Sequence, residues 1–141
     1  IFDLANLPTS IAVIGAGPLG LELAQALVRL GVDVQVFDQS ERLAGLHDAE
    51  VAAELRSILE REMPIRLGVE ISLERDGDAV SLSWSGTSAG TKRFERLLIA
   101  TGRPPQLAGL GLEVSGLALD KCGFRRKPAG DSDLMSATVP I

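Results

Sequence analysis

The chain has 141 residues, 45% of them hydrophobic and 23% charged, with a net charge of −5. That length is one domain's worth with room for a sizeable core, and the acidic balance excludes a nucleic-acid-binding surface, which needs a basic excess. No apolar run reaches the roughly 20 residues that span a bilayer, and the opening IFDLANLPTS lacks the basic start and apolar centre of a secretory signal. The expectations are no membrane partner and a cytoplasmic location. Ile1 to Thr9 reads as a connecting arm, with Pro8 leading into the first strand.

Ile11–Ile14 is a short β-branched run, the pattern of a strand buried on both faces. Gly15-Ala16-Gly17-Pro18-Leu19-Gly20 follows, and apolar residues then recur at helical spacing to Leu30, with Gly31 ending the helix. Val32–Phe37 is a second apolar strand closed by an acid, Asp38. Strand, glycine turn, helix, strand and acid together form the dinucleotide-binding βαβ fingerprint. Gly15 permits the tight turn, Gly17 lets a pyrophosphate approach the backbone, and Gly20 with Ala24 lets the helix lie close on the strand. Pro18 fits the first helical turn, where its missing N–H costs nothing. The amides left free there, at the positive end of the helix dipole, suit an anion. Asp38 suits the adenosine ribose hydroxyls and repels a 2′-phosphate, which favours NAD over NADP; Gln39, Ser40 and Glu41 add no basic cluster, although Arg42 lies near.

Gln39–His47 reads as a mostly polar loop wrapping the adenosine end. Asp48 is an expected N-cap for a helix over Glu50–Glu60, with Val51, Leu55, Ile58 and Leu59 toward the sheet. Pro64 ends that segment, and Ile65–Leu67 is a short third parallel strand. Val69–Arg75, Ala79–Trp84 and Thr91–Phe94 then read as strands, the first pair joined by Asp76-Gly77-Asp78, a strong hairpin signal. An antiparallel meander therefore replaces the next helix as the crossover. Leu97–Ala100 returns as a buried strand into Thr101-Gly102-Arg103-Pro104-Pro105. The fold class expected is α/β, a Rossmann-type parallel sheet with an antiparallel β-meander crossover, spanning residues 10–105.

Residues 106–141 are a Leu/Gly-rich stretch and then a polar one, whose Arg125-Arg126-Lys127 run reads as a solvated loop. Cys122 and His47 are the only cysteine and histidine, so neither an internal disulfide nor a Cys/His zinc set is available. There is no tyrosine, which excludes dehydrogenases that use a Tyr–Lys pair. The start at Ile1 and the unpolar ending read as a piece of something longer.

The run IAVIGAGPLGLELA, followed by VQVFD, a helix, a meander and LLIATGRPP, resembles the inserted pyridine-nucleotide domain of flavin-dependent disulfide oxidoreductases of the dihydrolipoamide dehydrogenase type. Glu22, directly after Gly20-Leu21, is similar to the nicotinamide-binding copy rather than the FAD-binding one. The resemblance implies NAD(H) in this domain, with Gly15, Gly17, Pro18, Leu19 and Gly20 at the pyrophosphate and Asp38 at the ribose. Glu22 and Gly102 would lie toward the nicotinamide. It also implies FAD bound mainly outside this chain, FAD and dimerisation domains as partners, and a homodimeric parent. Residues 106–141 would lead back to the FAD domain. No catalytic residue or metal ligand falls within the chain, because the family's cysteine pair and His–Glu pair lie elsewhere. Asp38 stands where many members carry a glutamate, and Pro105-Gln106 where an asparagine is common. Two alternatives remain: a nucleotide-sensing regulatory Rossmann module, and another flavoprotein reductase of the same architecture.

Overall fold

The computed structural model describes residues 6–102. The arm's first five residues, the tail from Arg103 onward, Cys122 and the Arg125–Lys127 run lie outside the described residues. Ten elements follow in order: β1 (Ser10–Ile14), α1 (Pro18–Arg29), β2 (Asp33–Asp38), a 3-10 turn (Leu43–Gly45), α2 (Ala49–Leu59), β3 (Ile65–Leu67), β4 (Val69–Asp76), β5 (Ala79–Gly86), β6 (Gly90–Phe94) and β7 (Arg96–Ile99).

β3, β2, β1 and β7 form one parallel sheet in that spatial order, and β4, β5 and β6 form a separate antiparallel one. The expected α/β class with a meander crossover is what the chain adopts. Alternation along the strands sends residues to two cores. Ile11, Val13, Val34, Val36, Ile65 and Leu67 join Leu21, Ala24 and Leu27 of α1 in the helix-side core. Ala12 and Phe37 join Val69, Leu82 and Phe94 on the meander side. Ile11, Ala12 and Val13 are all almost fully buried, as a strand covered on both faces must be. Phe37 anchors the second core, its ring centroid 5.3 Å from Trp84 and 6.1 Å from Phe94 in an edge-on arrangement.

Local signals behave as their chemistry dictates. Asp48 caps α2, its Oδ1 accepting from the amides of Glu50 (3.0 Å) and Val51 (3.1 Å). The Gly31 amide donates to Val28 O at 2.9 Å as α1 ends. Asp76 pairs with Ala79, so Gly77-Asp78 is a two-residue hairpin turn. Gly68, at φ +65°, is the single residue between β3 and β4, and there the chain leaves one sheet for the other.

Two expectations need correction. Of the four α2 residues expected to face the sheet, Leu59 is buried and Leu55 packs half-buried on the helix-side core. Val51 and Ile58 are exposed, at 53% and 44%. The parallel sheet ends at β3, so it covers a narrower stripe of this helix than the apolar spacing implies. The strand at Leu97–Ala100, expected to be buried, is only partly so, with Ile99 66% exposed at the edge of the sheet. Gln39–His47 is a loop with one 3-10 turn. Leu43 is buried in the helix-side core, and the Ala44 amide donates to Ala16 O at 2.8 Å. Among the described residues, no helix is long and apolar enough to cross a membrane.

Polar ties join distant parts of the chain. Glu62 receives Gln25 Nε2 (2.8 Å) and Arg29 Nε and Nη2 (both 3.1 Å), fastening α1 to the turn before β3. Glu95 receives the Thr9 amide (2.8 Å) and hydroxyl (2.9 Å), fastening the entry of β1 to β7. The Arg29 hydrogen bonds lower the Glu62 pKa first, and the Thr9 amide does the same for Glu95. Both groups titrate lower in the fold than in the unfolded chain. Their stabilisation is therefore complete above the ordinary glutamate range and is lost as pH falls through the lowered folded values. Melting temperature followed from neutral into acidic pH should decline less steeply for Glu62→Gln than for the parent chain. Identical slopes would remove Glu62 from the acid response.

Candidate functional site

The carboxyl ends of β1, β2 and β7 converge on the turn Gly15–Gly17, where ligands bind in open α/β sheets. Backbone bonds hold that turn from both sides. The Gly15 amide donates to Phe37 O at 2.8 Å, and the Ala100 amide donates to Ile14 O at 2.7 Å. Gly15 sits at φ +111°, and a Cβ there would stand 2.5 Å from Ala100 O, so conformation and space both demand glycine. At Gly20 the constraint is contact alone, because an added Cβ would run into the Gly15 carbonyl oxygen. Ala24, one turn later, is completely buried. Helix, turn and strand approach closely for lack of side-chain bulk.

Gly17 differs from these two. A Cβ added there meets nothing within 4 Å, so its bareness serves open space rather than packing. It is the N-cap of α1, with no side-chain cap, and the helix's first turn holds no acidic residue. α2, by contrast, closes its own N-terminus with Asp48. The uncapped amides of α1 border a cleft of about 660 Å³ lined by Gly15, Gly17, Pro18, Leu19, Asp38 and Gly102, with Leu23, Ile99 and Thr101 among the remaining walls. A pyrophosphate-sized anion fits this cradle in charge and in room.

Asp38 stands at the junction of two clefts. Its Oδ2 accepts the Ala16 amide at 2.6 Å and its Oδ1 accepts the Ser40 amide at 2.8 Å. An ionised carboxylate has about four acceptor positions, so further donors can still bind. The second cleft, of about 290 Å³, is lined by Ile14, Phe37, Asp38, Gln39, Val69 and Ile71, and shares Gly15, Asp38 and Thr101 with the first.

Of the residues expected at the site, Gly15, Gly17, Pro18, Leu19, Asp38 and Gly102 line the larger cleft, and Gly20 is buried behind it. Glu22 is exposed on α1 and lines neither cleft. The reading from sequence missed Val69 and Ile71, whose signal is non-local because they come from the meander. It also missed Leu23, Ile99 and Thr101; Thr101 stood in plain view beside Gly102.

A destabilisation of roughly 1–3 kcal/mol is expected for Gly20→Ala in urea unfolding, from overpacking against the Gly15 carbonyl. Gly17→Ala should stay within about 0.5 kcal/mol of the parent chain, since nothing obstructs the added methyl. Equal effects at the two positions would contradict the division between packing and open space.

Residues 1–126 match the family model for pyridine nucleotide-disulphide oxidoreductases. Dihydrolipoyl dehydrogenase 3 of Pseudomonas aeruginosa is 38% identical over 127 residues, covering 86% of this chain and 27% of that protein. Dihydrolipoyl dehydrogenase of Cupriavidus necator is 36% identical over 121 residues, covering 83% of this chain and 26% of the relative. The crystal structure of LpdA from Mycobacterium tuberculosis superimposes with a TM-score of 0.68 at 31% identity, over 84% of this chain and 26% of that one. The chain thus spans about a quarter of the length of the relatives it matches. The family match, with a meander where a regulatory module would continue in βα units, sets aside the regulatory alternative. The chain belongs to the pyridine nucleotide-disulphide oxidoreductase family.

Proposed function

We propose that residues 10–105 are the NAD(H)-binding domain of a dihydrolipoyl dehydrogenase-like flavoenzyme. The observation that carries this reading is the position of Asp38, its Oδ2 2.6 Å from the Ala16 amide at the mouth of an uncapped helix N-terminus. In this reading Gly15, Gly17 and the backbone around Pro18, Leu19 and Gly20 hold the pyrophosphate. The remaining acceptor positions of Asp38 take the ribose hydroxyls and turn away a 2′-phosphate. Gly102 backs the nicotinamide end. The exposed side chains of Leu19 and Ile99 line the same cleft and offer an apolar wall for a flat ring. Glu22, exposed on the same helix, acts on the bound nucleotide's far end only if that end extends beyond the cleft.

The nicotinamide, when bound, supplies a hydride carrier; this chain supplies grip and orientation. The flavin, the dithiol-reactive groups and the dimer contacts belong, in this proposal, to the remainder of a longer homodimeric, cytoplasmic protein. Residues 1–9 and 106–141 connect to its FAD domain. The relatives' printed name, dihydrolipoyl dehydrogenase, supports the enzyme class in this reading.

Isothermal titration of the 141-residue chain tests the proposal. NADH should bind more tightly than NADPH, and Asp38→Asn should weaken NADH about tenfold by removing charged acceptors. Gly17→Val should abolish binding while leaving the circular dichroism spectrum unchanged. NADPH binding as tightly as NADH, or an Asp38→Asn variant with unchanged affinity, would overturn the assignment.

A further inference from the structure

Both oxygens of Asp38 are anchored, one to the turn leaving β1 and the other to the loop that follows β2. Oδ2 takes the Ala16 amide at 2.6 Å, and Oδ1 takes the Ser40 amide at 2.8 Å. Ser40 is itself fixed at two further points. Its Oγ accepts the Arg42 amide at 3.0 Å, and its carbonyl accepts the Gly68 amide at 3.1 Å. The second of these bonds leaves the loop and reaches the residue at which the chain passes from β3 to β4.

Thr87, in the turn between β5 and β6, clamps that same crossing. Its hydroxyl donates to Leu67 O at 2.5 Å, and its amide donates to Gly68 O at 3.2 Å. Leu67 stands opposite Asp38 in the register of β2 and β3. Gly68 lies at φ +65°, and a Cβ there would stand 2.8 Å from Thr87 Cγ2 and 3.0 Å from Glu41 Cγ. The Thr87 methyl and the Glu41 stem therefore close together on the crossing. An unbroken route of hydrogen bonds runs from Thr87 to Gly68, from Gly68 to Ser40 and from Ser40 to Asp38. Thr87 itself lines neither cleft.

A carboxylate tied through one oxygen can swing about that bond. Tied through both, it presents its remaining acceptor positions in fixed directions, which need no ordering when a ligand's hydroxyls arrive. We infer that Thr87 is a positioning residue for nucleotide selectivity, acting on Asp38 through Gly68 and Ser40. The inference rests on the assignment of Asp38 to the ribose hydroxyls. The meander then does more than cover the sheet, because its β5–β6 turn aims the carboxylate.

Thr87 is exposed, and Thr87→Val removes the hydroxyl donor while keeping the branched shape and the amide. Isothermal titration of the 141-residue chain with NADH and with NADPH tests the role. Thr87→Val should weaken NADH about fivefold and leave NADPH unchanged, so the preference narrows. Thr87→Ser, which restores the hydroxyl, should restore the preference. In an Asp38→Asn background, Thr87→Val should weaken NADH no further, since both changes act through one carboxylate. Additive losses in that double variant would overturn the inference, because they place the effect of Thr87 elsewhere. A preference that Asp38→Asn removes and Thr87→Val leaves intact would overturn it alone. A parent chain with no preference would overturn it together with the reading of Asp38.

Discussion

The hydrogen bond from the Ala16 amide to Asp38 is the constraint on which the rest of the molecule turns. It crosses 22 residues of sequence and pins the end of β2 against the turn leaving β1. Phe37 O reinforces it from the neighbouring residue by accepting the Gly15 amide. Together these bonds fix the path of the first turn beside the uncapped start of α1. Preorganisation of this kind spares a binding site the cost of ordering a loop on association.

Packing explains how such a turn is tolerated. The close approach of the Gly15 carbonyl to Gly20 and the Gly15 backbone at φ +111° are open to glycine and not to a residue with a Cβ. They are held in place because β1 and β2 are buried on both faces, by α1 and by the meander. The two cores divide the work. The helix-side core is aliphatic and brings α1 close, which aims the helix N-terminus at the cleft. The meander-side core is built on Phe37, Trp84 and Phe94, and it carries Val69 and Ile71 to the wall of the smaller cleft. Replacing a crossover helix by an antiparallel sheet therefore changes the lining of the site as well as the topology.

The two helix termini show the same physics put to opposite ends. α2 satisfies its Glu50 and Val51 amides with Asp48, a side chain of its own. α1 begins with Gly17 and Pro18, which leave its donors uncapped beside a cleft. Both starts obey ordinary capping preferences. The difference lies in what stands in front of each helix.

Much of this was legible from local residue order. The glycine turn, the Asp48 cap, the Gly77-Asp78 hairpin and the buried β-branched run of β1 each depend on conformational preferences a few residues long, and all appear where the sequence places them. So does the family resemblance, whose motifs lie in one contiguous stretch. Other features depended on which surfaces met. Apolar spacing marked Val51 and Ile58 for the core, yet the sheet ends at β3 and leaves them exposed. Leu43 sits in a loop of polar neighbours and still joins the helix-side core. Val69 and Ile71 come to their cleft because the chain passes from one sheet to the other at Gly68. Periodicity tells which face of an element is apolar; only the folded neighbours decide how much of that face is covered, because burial belongs to pairs of surfaces and not to either one alone.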